Sequence, residues 1–166
     1  MRISRSKWAK AALVVIAVAI AGSVIAGRVL LPEANPPLRH EGWVLSERAQ
    51  PILERACFDC HSNATRWPWY AYVPPVSLFI VMDVAEGREH VNFSAWDSRP
   101  PDRQAKDMQK ALEEIREGEM PLKMYLWAHA DARVSEADLA LLTEDVAARY
   151  GEAFTRPPPE GEEHEH

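Results

Sequence analysis

The sequence predicts an all-α fold: one apolar N-terminal helix followed by a small helical domain. Three observations carry this. Residues 11–26 are an unbroken run of apolar or small side chains, with only Ser23 mildly polar. Residues 102–117 and 135–150 repeat apolar positions at helical spacing. No segment sustains the alternation of a half-buried strand.

The N-terminal element comes first. Arg2, Arg5, Lys7 and Lys10 precede the apolar run with no acid among the first ten residues. Basic residues before an apolar stretch hold that end in the cytoplasm and send the remainder of the chain across the membrane. Residues 9–31 are about the length that spans a bilayer as a helix. The expectation is a cytoplasmic basic segment (1–8), a transmembrane anchor (9–31), a linker (32–43), a folded domain (44–151) and a disordered acidic tail (152–166). The competing reading of residues 9–31 is a cleaved signal peptide, because Val24-Ile25-Ala26 places small residues near a cut site. Both readings place the domain outside the cytoplasm, either tethered to the inner membrane or soluble in the periplasm.

Within the domain, a first helix runs from near Ser46 or Gln50 toward Cys57, since Pro51 suits a helix start and not its middle. A second covers residues 76–86, with Gly87 as its stop. A third spans residues 102–117, with Met108, Leu112 and Ile115 on one face and Gly118 after it. In the fourth, Ser135 caps the helix, Asp138 follows at the third position, and Leu139, Leu142, Val146 and Tyr150 form a stripe ending at Gly151. The helix before Cys57 is expected to pack near this last one.

Charge narrows the partners. From Pro32 onward 14 basic side chains stand against 25 acidic ones, a net of −11. An acidic body argues against nucleic acid and is compatible with docking to a basic protein surface.

The chemistry concentrates at Cys57-Phe58-Asp59-Cys60-His61, which holds the only two cysteines of the chain. Two thiols on one turn with a His beside the second reach the two vinyl groups of a haem and place an imidazole under its iron. A structural disulfide would not require His61. A thioredoxin-like motif needs a strand–helix–strand context that is missing, and a zinc site would want a fourth ligand. The reading is therefore one covalent haem c on Cys57 and Cys60, with His61 as proximal metal ligand.

For the sixth iron position, Met120 is the first candidate. It lies between two helices in Gly118-Glu119-Met120-Pro121, where the proline after it favours an extended backbone. Met124 is an alternative, and His129 or His90 would give a bis-histidine iron. Met82 and Met108 read as core filler. Trp67, Trp69, Tyr70 and Tyr72 form an aromatic, proline-rich loop suited to a haem wall. Arg66 and Arg88 are candidate partners for the propionates. The haem is expected between the first and last helices of the domain, with that loop on one side and Met120 closing the other.

Cys57-Phe58-Asp59-Cys60-His61-Ser62-Asn63-Ala64-Thr65-Arg66-Trp67-Pro68-Trp69-Tyr70 resembles the start of the small bacterial haem-binding domain family related to cytochrome c. So do Gly87-Arg88, Val91-Asn92-Phe93-Ser94-Ala95-Trp96, and Gly118-Glu119-Met120-Pro121 with Tyr125 and His129 after it. The similarity covers residues 44–150. It implies a monohaem domain with a cytochrome-c-like core, Cys57 and Cys60 as attachment sites, His61 as proximal ligand and Met120 as distal ligand. Here Leu122 and Lys123 come after Met-Pro, where the family commonly has a second proline. The function expected is single-electron transfer with redox partner proteins, no small-molecule substrate and no catalytic residues. The alternative is a peroxidase-like haem enzyme, or a gas or redox sensor, with an open sixth position. A structural or assembly factor using haem as a staple is a third class.

Overall fold

The computed structural model describes residues 5–30, 35–38 and 44–151. All regular structure among them is helical: α1 (Arg5–Leu30), α2 (Gln50–Ala56), α3 (Phe58–His61), α4 (Val76–His90), α5 (Pro101–Glu117), α6 (Lys123–Ala128) and α7 (Glu136–Tyr150). Short 3-10 turns at Trp69–Tyr72, Phe93–Ser98 and Ala130–Ala132 join them. The all-α expectation holds. The tail at 152–166 and the linker positions 32–34 and 39–43 lie outside the described residues.

The N-terminal segment forms a helix as expected, and α1 runs beside the Trp69–Tyr72 turn. Among the described residues no helix is long and apolar enough to cross a membrane. The helix is thus observed, and a membrane-spanning α1 is not supported by the structure.

The core lies between α2, α5 and α7. Ile52 and Leu53 of α2, Met108 and Leu112 of α5, and Leu142 and Val146 of α7 are buried in one cluster with Val44, Leu45, Phe93 and Trp96. Each such side chain contributes on the order of 1.5–3 kcal/mol by leaving water. Trp96 is fully buried, and its indole Nε1 donates to the Tyr150 hydroxyl at 3.1 Å, which satisfies the one polar atom it brings inside.

Local signals explain the boundaries. Ser135 and Asp138 form a reciprocal capping box at the start of α7. Pro101 opens α5, and Gly118 ends it in the left-handed region at φ 76°. Asp145 accepts from the Ser46 amide at 2.8 Å, and Arg55 pairs with Asp138 at 2.7 Å, so α2 is fastened along α7 as expected.

Two expectations are corrected. Gly87 does not stop its helix, because α4 continues to His90. Met82 is not core filler; it is 66 % exposed, whereas Met108 is buried.

Candidate functional site

The site is built on the bend where α2 passes into α3. The Cys57 amide still donates to Leu53 in α2, while its carbonyl accepts from His61 at 2.8 Å and closes the next turn. Cys57 itself has the irregular φ/ψ of −124°/−36°. One bent turn therefore carries Cys57, Cys60 and His61 together.

His61 is held from one side. Its Nδ1 lies 2.8 Å from the Gly87 carbonyl oxygen and 3.2 Å from that of Val91. Carbonyls only accept, so Nδ1 carries the proton and Nε2 keeps its lone pair. This is the tautomer a metal-ligating histidine needs. Burial acts the same way by pushing the imidazole pKa down, against the two backbone hydrogen bonds.

Gly87 makes the approach of α3 to α4 possible. A Cβ at this position would sit 2.9 Å from the Cys60 carbonyl oxygen and 3.3 Å from its carbonyl carbon. The glycine serves a close backbone crossing, and the carbonyl it presents there is the one that receives His61.

The thiols are the reverse of activated. Burial, with the neighbouring Cys60 sulfur, pushes Cys57 up to about 12. Burial, with Asp83 and Asp59 nearby, pushes Cys60 up to about 11. Reactive redox dithiols depend on depressed thiol pKa values, so this turn does not resemble a thioredoxin-type centre. Among the described residues no group of three or more His, Cys, Asp or Glu side chains is arranged to hold a metal ion.

Asp59, between the two cysteines, is buried and heavily bonded. Its carboxylate accepts from the Arg66 amide at 3.1 Å, from Arg66 Nε at 3.2 Å and from the Tyr125 hydroxyl at 2.8 Å. Thr65 donates to the Asp59 carbonyl at 2.7 Å. Nothing in the sequence pattern separates this Asp from an ordinary surface acid, so sequence reasoning misses its role.

The remaining candidates have other surroundings. Arg88 donates through Nε to the Ser62 carbonyl and through Nη2 to Asn35 and Thr65, each at 2.8 Å. Trp67 Nε1 also donates to Asn35, at 3.3 Å. Arg88 and Trp67 thus fasten residues 35–38 to the loop after His61, and Arg66 is spent on Asp59. Trp69 is 74 % exposed and meets Tyr70 edge-on, while Tyr72 is buried. His129 stacks on Tyr125 at 4.1 Å, and its two ring nitrogens face the Tyr125 carbonyl and the Tyr70 hydroxyl. His90 lies on the exposed end of α4 beside Glu86. Met120 is half-buried in the α5–α6 link, its amide donating to Glu114 at 3.1 Å. Met124 is exposed on α6.

These residues fit a haem in two respects. The donor set offers two thiols and one imidazole with Nε2 unspent. The helices that pack on it also expose large apolar side chains: Val76, Leu78, Phe79 and Met82 on α4, Met124 and Trp127 on α6. An apolar macrocycle is the kind of group that covers such surface.

Fold and donor set define the class, a small all-helical haem-binding protein. The chain belongs to the haem-binding domain family, whose model matches residues 33–148. No curated protein and no solved structure matches the chain. The match begins before Asn35, in keeping with the bonds that fasten residues 35–38 to the domain.

Proposed function

We propose that this protein is a monohaem c-type cytochrome that carries single electrons. Cys57 and Cys60 would hold the haem through thioethers, and His61 Nε2 and Met120 would ligate its iron. The bound haem supplies a one-electron couple. The observation that carries this reading is the Cys57–Cys60–His61 turn with His61 Nδ1 fixed on the Gly87 carbonyl. A thioether ligand together with an imidazole would favour reduced iron. Met120 is preferred to His129 because both nitrogens of that ring already face partners.

The same reading places the domain at the periplasmic face of an inner membrane, tethered by residues 9–31. Basic residues precede the apolar run, and Leu13, Val14, Val15, Ile16, Val18 and Ile20 are all exposed on α1. Tethering keeps the haem at high effective concentration near membrane-bound redox partners. Alkaline carbonate extraction tests it: the full chain should stay with the membrane fraction, and release into the wash removes the tether.

An optical spectrum of the exported protein tests the carrier reading. Low-spin haem with the weak far-red sulfur-to-iron band, indifferent to carbon monoxide when reduced, is the expected result. High-spin haem that binds carbon monoxide at once would replace the carrier with an enzyme or sensor.

A further inference from the structure

Among the described residues no hydrogen bond ties Met120 directly to the turn that carries Cys57, Cys60 and His61; its amide donates to Glu114. The link that carries it, residues 119–122, is fixed upstream by the end of α5, where the Glu119 and Met120 amides both donate to the Glu114 carbonyl. Downstream it enters α6, a helix of six residues with no buried side chain, too short to hold a position by itself. Tyr125 is the side chain of α6 that reaches back, its hydroxyl donating to Asp59 Oδ2 at 2.8 Å. Asp59 sits between the two attachment cysteines.

We propose that Tyr125 is a positioning residue for the distal side of the haem. Its hydrogen bond to Asp59 sets the register of the Met120 link against the turn that carries Cys57, Cys60 and His61. The proposal rests on the reading of Met120 as iron ligand and adds the element that presents it. Three features support it. The bond is short and goes to a carboxylate, the stronger kind of hydrogen bond. The Asp59 side chain is 11 % exposed, so water competes poorly for it, whereas its other side-chain partner, Arg66, is 70 % exposed and its ion pair counts for little. The Tyr125 ring is also buttressed by the stacked His129 ring, which Tyr70 in turn contacts at 3.4 Å. The bond is thus held from both ends.

The test uses the haem-loaded full chain and imidazole as a competing iron ligand. Tyr125→Phe keeps the ring and its stack and removes only the hydroxyl. A link less firmly held closes on the iron a smaller fraction of the time, and a competitor then binds more tightly in proportion. The expected result is about tenfold tighter imidazole binding with a weakened far-red band, the size of effect one lost charge-assisted hydrogen bond gives. In Met120→Ala the band should vanish, and adding Tyr125→Phe to that variant should leave imidazole affinity where Met120→Ala put it, because no ligand remains to be positioned. Unchanged imidazole affinity in Tyr125→Phe, with the band lost in Met120→Ala, overturns the positioning role and leaves the ligand standing. A band that survives Met120→Ala overturns the ligand and the positioning role with it. A drop in thermal midpoint alone, without a change in imidazole affinity, would make Tyr125 merely structural and also overturns the proposal.

Discussion

The Nδ1 of His61 lies 2.8 Å from the carbonyl oxygen of Gly87, across the closest approach of two helices. This contact joins two requirements. For the iron ligation proposed above the imidazole keeps Nε2 free, and the backbone that holds Nδ1 must come within reach, which only a residue without Cβ allows.

Gly87→Ala should therefore destabilise, although alanine is the better helix former by about 1 kcal/mol. The new Cβ meets backbone atoms of Cys60 that cannot rotate away. A net loss of about 1–3 kcal/mol is expected, the usual range for overpacking. Urea unfolding of the holo protein measures it. A gain in stability would mean that the α3–α4 crossing is looser than these distances imply.

Ser135→Ala removes the side-chain half of the capping box on α7 and should cost about 1 kcal/mol, read as a lower thermal midpoint. The same box gives a pH signature. Hydrogen bonds from the Ser135 hydroxyl and amide hold the Asp138 pKa below the ordinary carboxylate value, and Arg55 adds to the effect. A depressed carboxyl stabilises the fold above its unfolded pKa of about 3.8, and that stability is lost as pH falls through the lower folded value. The gap in stability between the native protein and Asp138→Asn should be full at neutral pH and close in strong acid. A gap that widens on acidification would reverse the sign.

Tyr150→Phe strands the Trp96 indole N–H in the core, since Tyr150 is the acceptor it meets there. A cost of about 1–3 kcal/mol is expected from the unpaired buried donor. Loss of haem should not accompany it, because the pair lies in the α5–α7 core and outside the Cys57–His61 turn. Chemical denaturation together with the haem-to-protein absorbance ratio separates the two effects.

The features legible in the sequence are local. The α7 cap, the α5 stripe and the Cys57–His61 turn each lie within a few residues of chain, and each can be read in place. The features that escape depend on distance along the chain. Gly87 carries the same letter whether it ends a helix or admits another backbone, and only the position of Cys60 decides between them. Arg88 reads as a candidate propionate partner, and its bond to Asn35, 53 positions upstream, has no local signal. Asp59 and Tyr125 are separated by 66 positions, and no periodicity links them. Helix α6, at six residues, is shorter than the window in which helical spacing can be recognised.

The central claim is covalent haem on Cys57 and Cys60. The most direct measurement is haem staining of the exported protein on a denaturing gel, beside the Cys57→Ala/Cys60→Ala double variant. The account predicts a stained band at the mass of the native chain and none for the variant. Staining that persists in the double variant, or a native chain that loses its haem on denaturation, would contradict it.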